Sequence, residues 1–314
     1  MNIQTLQFEG KKLVLSSEYC TFQAVNQQPN IHFVTSLELS ELQPYRTLRR
    51  PLEHIQQGIF VAEGEKVVRQ LLASNLTIIS MLMTQKWFDA LSTNNSPITT
   101  HHTPFTIYLA DHKLVESIVG VNLHQGIMAV ARVPENPTLE SVMNEIQSPF
   151  LLVALDGLVN AENIGVIVRN CAAFGVQGII VGETSSSPYL RRSVRNSIGT
   201  VFKIPVIHVS NLAETLTKLH QTYSTNIVAA HPQGQSSIHQ TDLSTNVCVV
   251  FGHEGLGISK TILEVCTNHV AIPMENDTDS LNVANASAVF LYEARKQRAA
   301  CPPLAGEGDE RGEN

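Results

Sequence analysis

The sequence predicts an α/β protein with two domains, of which the second contains a parallel sheet covered by helices on both faces. The chain has 314 residues, more than the roughly 100 to 200 residues of one ordinary domain. Short apolar runs alternate with helical or turn segments along most of the chain, which is typical of α/β folds. In the second half these runs are continuously apolar, as strands buried on both faces must be.

The composition indicates a folded, soluble protein of the cytoplasm. Apolar residues make up 43% and charged residues 16% of the chain, which excludes a largely disordered protein. No apolar run approaches the roughly 20 residues of a membrane span, and the first residues lack a signal-peptide pattern. The five cysteines lack any C-x-x-C pair, so we expect no disulfide framework and no metal site. They are Cys20, Cys171, Cys248, Cys266 and Cys301.

The net charge of -7 by itself disfavours a nucleic-acid partner, because phosphate binding normally needs a basic surface. Two groups of basic residues nevertheless stand out. The first comprises Arg191, Arg192, Arg195 and Lys203, and the second Arg46, Arg49 and Arg50. Solvated surface and phosphate contact both remain open for these groups. Residues 301–314 hold four of the acids and are predicted to form a disordered tail.

The first half of the chain predicts a small α/β domain over residues 36–133, after an N-terminal extension over 1–35. A strand in GIFVAEGE precedes a helix from about Glu65 to Ala73, and a buried strand begins at Leu76. The runs TIYLAD and GIMAVARV are two further strands. Residues 134–149, which are polar and bracketed by prolines, predict a linker with one short helix.

Residues 150–300 predict the parallel-sheet domain. Its apolar runs are FLLVALDG, QGIIVGE, NIVAAH, NVCVVFG and HVAIPM. Each run is followed by glycine or polar residues, as a buried strand ending in a loop would be. Because open sheets of this kind bind ligands at the carboxyl ends of their strands, we expect the functional residues in the loops that follow these runs.

The loop GHEGLGIS follows NVCVVFG and contains Gly252, Gly255 and Gly257. Such glycines let the backbone approach a ligand closely or adopt positive φ. The loop is not a phosphate-binding P-loop, since Ile258 stands where that motif needs lysine, and it does not match the dinucleotide fingerprint. A nucleoside without phosphate is compatible with it, and so is a plain turn.

Two other loops carry polar residues beside predicted helices. Ser280 is a natural N-cap for a helix from about Leu281 to Arg298. Asn163 can cap a helix beginning near Gly165, with Arg169 further along an otherwise apolar segment. An arginine there is costly unless it is paired or used in function. Ordinary capping and packing, and a surface arginine with a buried stem, are the structural alternatives.

These three segments together resemble the SpoU family of RNA 2'-O-ribose methyltransferases, which are TrmH-like proteins of the SPOUT superfamily. The first family motif, N-x-G-x-x-x-R, is matched by Asn163, Gly165 and Arg169. The second is matched by FGHEGLGI, with Gly252, Glu254 and Gly257. The third is matched by IPM and SLNVA, with Ile272, Pro273, Met274, Ser280, Leu281 and Asn282. All three occur in the family's order.

The resemblance implies transfer of a methyl group from S-adenosylmethionine to a ribose 2'-hydroxyl of structured RNA, with ribosomal RNA favoured over transfer RNA. It implies catalytic roles for Arg169, Asn163, Glu254, Ser280 and Asn282. It also implies cofactor contacts from Gly252, Gly257, Ile272, Met274 and Leu281. The segment SSSPYLRRSVRNSIGTVFKIPV is similar to the segment that follows the family's first motif, which favours RNA contact by Arg191, Arg192 and Arg195.

Further expectations and alternatives follow from the same resemblance. It implies a trefoil knot in the parallel-sheet SPOUT domain, a homodimer, and an RNA substrate-binding role for the smaller domain. A transfer RNA 2'-O-methyltransferase, a base methyltransferase of the superfamily and a non-catalytic RNA-binding protein of the same fold remain open. A nucleotide hydrolase is disfavoured because the P-loop lysine is absent.

Overall fold

The computed structural model describes residues 4–8, 11–15, 30–92, 98, 101, 103–119, 126–276 and 278–300. It contains a two-stranded antiparallel pair, a five-stranded mixed sheet and a seven-stranded parallel sheet. The antiparallel pair consists of β1 (Gln4–Phe8) and β2 (Lys11–Leu15). The predicted tail over 301–314 lies outside the described residues.

The five-stranded sheet is built from strands in the first half of the chain. They are β3 (Asn30–Val34), β4 (Ile59–Glu63), β5 (Ile78–Met83), β6 (Thr106–Ala110) and β7 (Ile127–Arg132). Their order is β3-β6-β5-β7-β4, and β7 runs antiparallel to both of its neighbours. The helices of this half are α1 (Gln43–Arg46), α2 (Pro51–Gln56), α3 (Glu65–Leu72), α4 (Gln85–Leu91) and α5 (His112–Val119).

The seven-stranded sheet is parallel throughout. Its strands are β8 (Leu151–Asp156), β9 (Gly178–Val181), β10 (Val206–His208), β11 (Asn226–Ala230), β12 (Ser236–Ser237), β13 (Val247–Gly252) and β14 (Asn268–Ala271). The helices of this half are α6 (Leu139–Glu145), α7 (Ala161–Phe174), α8 (Arg191–Asn196), α9 (Leu212–Tyr223), α10 (Lys260–Val265) and α11 (Val283–Ala300). The predicted parallel α/β sheet is thus confirmed.

The strand order explains where a site can form. The order is β10-β9-β8-β13-β11-β14-β12, so β13 lies between β8 and β11. The chain moves outward from β8 to β10 and then crosses to the other side of β8 to form β11 and β12. Strand β13 is then inserted between β8 and β11, and β14 between β11 and β12. Crevices for ligands form at such switch points, beyond the carboxyl ends of the strands. The trefoil knot implied by the resemblance stays a prediction.

Strand β3 corrects the predicted N-terminal extension over residues 1–35. Residues 30–34 pair in parallel with 106–110 of β6, so the end of the extension belongs to the five-stranded sheet. Four of the five residues of β3 are exposed. An edge strand exposed on both faces needs no continuous apolar run, which is why the sequence of residues 1–35 carries only weak strand patterns.

The predicted linker over residues 134–149 is packed against the parallel sheet. Its helix α6 buries Leu139, Val142 and Met143. They pack in one cluster with Phe150 and Leu152, which follow the linker in the sequence. Apolar residues at this spacing form one stripe of the helix, and that stripe faces the core. The segment therefore joins the two halves of the chain without standing apart from them.

One continuous apolar core joins the two larger sheets. It includes residues of β4, β5 and β7 as well as residues of β8, β9 and β13. Phe60 of β4 contacts the rings of Tyr189 and Phe202, with centroids 5.6 and 5.4 Å away. The opposite faces of the two sheets are covered by separate clusters. Aromatic packing thus fixes the small sheet beside α8.

Candidate active site

The loops after β8, β13 and β14 meet at one edge of the parallel sheet. Strands β8 and β13 are adjacent, with Asp156 in register with Gly252, so the loops that follow them begin side by side. Asp156 also accepts a hydrogen bond from the backbone nitrogen of Ser259 at 2.7 Å. This bond ties the far end of the glycine loop to the end of β8.

Helix α7 begins earlier than the sequence predicted. Its N-cap is Asn160, whose side chain accepts from the backbone nitrogens of Glu162 at 2.8 Å and Asn163 at 3.3 Å. The prediction that Asn163 caps a helix near Gly165 was therefore wrong. Asparagine is a favourable N-cap residue at either position, and in the structure Asn160 caps the helix. The side chain of Asn163 is left free to act elsewhere.

Gly165 permits a close helix contact directly behind the site. A Cβ atom at this position would lie 2.6 Å from the carbonyl oxygen of Ser193 on α8. No side chain fits at that distance, so glycine is required for α7 and α8 to pack as they do. This packing accounts for the glycine in the first motif.

The glycine loop after β13 is a tight backbone turn. His253 and Gly257 exchange two backbone hydrogen bonds, of 3.0 and 2.9 Å. Gly252 has no room for a side chain, since a Cβ would lie 2.3 Å from the nitrogen of Ile258. Gly257 has φ +71, which favours glycine.

The side chain of His253 also holds this turn, because its Nδ1 atom accepts from the backbone nitrogens of Gly255 and Leu256. The turn is therefore fixed from within.

A chain of hydrogen bonds joins the three loops. Glu254 Oε1 accepts from the side-chain nitrogen of Asn163 at 3.1 Å and from the backbone nitrogen of Asn160 at 3.2 Å. Asn163 Oδ1 accepts from Asn282 Nδ2 at 3.2 Å. We call Asn163, Glu254 and Asn282 the polar triad. It brings together one residue from each of the three motifs that the sequence singled out.

The carboxylate of Glu254 is stabilised in its charged form. Burial raises its pKa, but hydrogen bonds from its own backbone, Asn163 and Asn160 outweigh that effect. The pKa of Glu254 consequently lies below its ordinary value. The site therefore contains a carboxylate that accepts hydrogen bonds at neutral pH.

The start of α11 also differs from the prediction. The helix begins at Val283, and Asn282 Oδ1 accepts from the backbone nitrogen of Ala284 at 2.9 Å. Asn282 therefore caps this helix, and the prediction that Ser280 does so was wrong. Because Asn282 uses its oxygen for the cap, its side-chain nitrogen is directed to Asn163. One side chain thus couples the helix start to the polar triad.

A cavity of about 410 Å³ lies beside the polar triad at the ends of β11, β13 and β14. The predicted site residues that line it are Gly252, Glu254, Gly257, Ile272, Met274, Ser280 and Leu281. None of the described lining residues is lysine or arginine, and Glu254 and Asp279 supply negative charge. Its volume is that of a small-molecule site. The cavity suits an uncharged or cationic ligand better than a phosphate.

Arg169 lies apart from the polar triad within this chain. It is six residues beyond Asn163 on α7, which places it about 9 Å further along the helix axis. Its side chain is exposed, and it forms no hydrogen bond or ion pair with the described residues. It does not line the cavity either. The catalytic role of Arg169 stays a prediction.

The predicted RNA-binding arginines lie at the boundary between the two larger sheets. Arg191 and Arg195 both form ion pairs with Glu63 at the end of β4. Glu63 is only 10% exposed, so this carboxylate is shielded from solvent by its partners. Arg192 is more open, with Glu162 3.9 Å away. Arg191 and Arg195 therefore connect the two halves of the chain through Glu63. Their predicted contact with RNA stays a prediction.

Four residues of this region were not predicted from the sequence. Asn160 donates to Glu254, His253 holds the turn, Asp156 anchors the loop, and His231 lines the cavity. Asp156, His231 and His253 stand at or just beyond the ends of β8, β11 and β13. The expectation that ligands bind at strand ends could have indicated them.

The described residues include neither a metal cluster nor a membrane-spanning helix. In the parts of the chain that the structure describes, no group of three or more His, Cys, Asp or Glu side chains could hold a metal ion. Among the same residues, none of the helices has the length and apolar character that crossing a membrane requires.

The fold and the site together define a class of α/β proteins with a small-molecule cavity at the carboxyl ends of parallel strands. The model of the SpoU rRNA Methylase family matches residues 150–292. The 23S rRNA (guanosine-2'-O-)-methyltransferase RlmB of Pasteurella multocida is 31% identical over 203 residues, which cover 64% of this chain and 82% of that protein. The chain therefore belongs to the SpoU rRNA methylase family.

Solved structures are similar over most of the chain. The SpoU methyltransferase AviRb from Streptomyces viridochromogenes superposes with a TM-score of 0.70 at 25% identity, covering 82% of this chain and 97% of that one. The AdoMet-bound rRNA methyltransferase from Sinorhizobium meliloti has a TM-score of 0.72 at 24% identity, covering 85% and 98%. The latter likeness shows that the fold extends across both larger sheets.

Proposed function

We propose that this protein transfers a methyl group from S-adenosylmethionine to a ribose 2'-hydroxyl of ribosomal RNA. The observation that carries the proposal is the polar triad, in which Asn163, Glu254 and Asn282 join all three motif segments beside a nucleoside-sized cavity. A relative of which this chain covers 82% is named a 23S rRNA (guanosine-2'-O-)-methyltransferase.

The cavity fits S-adenosylmethionine in size and charge. The backbone at Gly252 is bare of any side chain, and Ile272 and Leu281 provide apolar walls for an adenine ring. The cofactor carries no phosphate, in agreement with walls that lack lysine and arginine among the described residues. Glu254 and Asp279 are suitably charged for a cationic ligand. When bound, S-adenosylmethionine supplies a sulfonium methyl group that is already electrophilic.

The residues of the chain have to orient the ribose and manage its hydroxyl proton. Glu254 and Asn163 hold each other in position, and Asn282 fixes the start of α11 against them. Positioning of this kind converts an encounter into an aligned attack. Arg169 either takes the hydroxyl proton or fixes the phosphate next to the target ribose. The second role suits a guanidinium, which is normally always protonated.

The protein acts as a homodimer in this proposal. Arg169 has no partner within the described residues, and exposed apolar side chains surround the same face of the chain. They are Val166 of α7 and Val289 and Tyr292 of α11. Tyr292 also contacts Phe174 of α7, with ring centroids 6.2 Å apart, so these helices present one surface. A second copy that covers this surface would also bring further groups to Arg169.

Light scattering on Val289→Lys tests the homodimer. We expect a dimeric wild type and a monomeric variant, because a buried lysine charge is costly. Leu52→Lys is the control, since Leu52 is 70% exposed on α2, in the other half of the chain. A monomeric wild type, or equal behaviour of the two variants, would show that these helices do not form the interface.

Methylation of RNA followed by digestion to nucleosides tests the activity. Ribosomal and transfer RNA from cells lacking this protein are incubated with the purified chain and radiolabelled S-adenosylmethionine. We expect label in 2'-O-methylated nucleosides of ribosomal RNA. Label on a base would identify a base methyltransferase, and label in transfer RNA would change the substrate. Binding of the cofactor without any transfer would indicate an RNA-binding protein that has kept only the fold.

A further inference from the structure

A second, larger cavity of about 1020 Å³ lies at the boundary between the small-sheet half and the parallel-sheet half, and residues of both halves line it. One wall comes from the α1–α2 region and α5, and the other from the start of α7 and from α8. We call it the arginine cleft. Its lining residues include Arg49, Arg191, Arg192, Arg195, Glu162 and Asn160.

The cleft is positively charged on an otherwise acidic chain. Four arginines and one glutamate line it, whereas the whole chain has a net charge of -7. Arg49 is exposed and makes no hydrogen bond or ion pair with the described residues. Arg192 has only a loose contact with Glu162, and their side chains are 70% and 62% exposed. Such exposed pairs are weak, so both guanidinium groups are free to bind an anion.

The other two arginines of the cleft are already engaged. Glu63 bonds with Arg191 and lies 3.4 Å from Arg195, across the boundary between the sheets. Removing either partner from a shielded ion pair is costly. Arg191 and Arg195 therefore hold the two walls together, while Arg49 and Arg192 stand free on opposite walls.

The cleft leads to the candidate active site. Asn160 lines the cleft, and its backbone nitrogen donates to Glu254 of the polar triad. A polymer that places one ribose at the triad must continue away from it, and the cleft is the basic path that begins there. Phosphate groups along a strand are matched by guanidinium groups, which can donate two parallel hydrogen bonds.

We propose that the arginine cleft binds the backbone of the RNA strand next to the methylated nucleotide, with Arg49 and Arg192 contacting phosphates from opposite walls. Arg191 and Arg195 set the width of the cleft through Glu63. The inference rests on the proposed function, because the strand is the substrate of the active site. Within the small domain, it assigns the contact with the RNA strand to Arg49.

Three glutamine variants test the proposal. Arg49→Gln and Arg192→Gln remove one cleft charge each. Arg50→Gln is the matched control, since Arg50 is adjacent in sequence, pairs with Glu53 and does not line the cleft. Binding of a 23S ribosomal RNA fragment is measured at several salt concentrations, and S-adenosylmethionine binding is measured in parallel by titration calorimetry.

We expect both cleft variants to bind the RNA about three- to tenfold more weakly than Arg50→Gln. The slope of log affinity against log salt should become shallower by about 0.7 to 0.9 for each phosphate that the variant no longer neutralises. Cofactor binding should not change. Equal RNA affinity for Arg49→Gln and Arg50→Gln would overturn the cleft while leaving the methyltransferase intact. If both cleft variants bind RNA more weakly as expected but the wild type transfers no methyl group, the proposed function would be overturned instead.

Discussion

The side-chain nitrogen of Asn163 lies 3.1 Å from Oε1 of Glu254, although the two residues are 91 positions apart. The same asparagine accepts from Asn282, which is 119 positions away. An amide can donate and accept at once, so Asn163 links a carboxylate on one side to a helix cap on the other. The triad therefore depends on this single side chain at its centre.

Asn163→Ala should slow methyl transfer strongly while leaving the fold intact. The variant removes the side chain that holds Glu254 and Asn282 in position, and misplacement of positioning groups costs up to about 100-fold in rate. Single-turnover methylation would measure it. Asn170→Ala is the control, since Asn170 lies on the same helix but bonds to Ala284 and Ser287. Equal rates for the two variants would remove the triad from catalysis.

Gly252→Ala should abolish binding of S-adenosylmethionine. The new Cβ would lie 2.3 Å from the backbone nitrogen of Ile258, so the turn would have to open. Gly255→Ala is a matched control in the same loop, because the nearest atoms to its Cβ are 3.8 Å away. Isothermal titration with the cofactor compares the two. Tight binding by Gly252→Ala would show that the turn does not form the cofactor wall.

Arg169→Ala should retain S-adenosylmethionine binding and lose nearly all methyl transfer. The cavity does not include Arg169, so its removal leaves the cofactor walls in place. The measurements are a cofactor titration and a methylation assay on the same preparation. Arg169→Lys keeps the positive charge but lacks the planar guanidinium, and it should recover only a small part of the rate. Near wild-type methylation by Arg169→Ala would exclude a catalytic role.

The pKa of Glu254 predicts how pH affects stability. Burial raises this pKa, but hydrogen bonds from the Glu254 backbone, Asn163 and Asn160 lower it overall. The resulting stabilisation is fully present above the unfolded pKa of about 4.3 and disappears as pH falls through the lower folded value. Urea unfolding of wild type and Glu254→Gln between pH 7 and pH 3 should therefore converge in acid. A gap that widens in acid would contradict the lowered pKa.

Gly165→Ala should destabilise the protein without changing any polar group. Its Cβ would lie 2.6 Å from the carbonyl oxygen of Ser193, so α7 and α8 would be forced apart. Overpacking of this kind costs about 1–3 kcal/mol. Urea unfolding would show a lower midpoint than wild type. An unchanged midpoint would mean that the packing of α7 against α8 can relax freely.

The sequence by itself determined the parallel sheet and the loops that carry the site. Strands β8, β9, β11, β13 and β14 coincide with the five continuous apolar runs, since burial on both faces leaves that pattern in any chain. The short strands β10 and β12 were missed because three and two residues leave no pattern to read. The exposed edge strand β3 left only a weak strand pattern, because four of its five residues are not buried.

Only the tertiary structure decided which polar groups meet. Asn160 and Asn163 are equally good caps in the sequence. In the structure, Glu254, just beyond the end of the adjacent strand β13, accepts from the backbone nitrogen of Asn160 and from the side chain of Asn163. Likewise, Arg191 is paired with Glu63, which is 128 positions away. Apolar burial is encoded locally and repeats along the chain, whereas a hydrogen-bond partner depends on the order of strands in the sheet, which no local pattern contains.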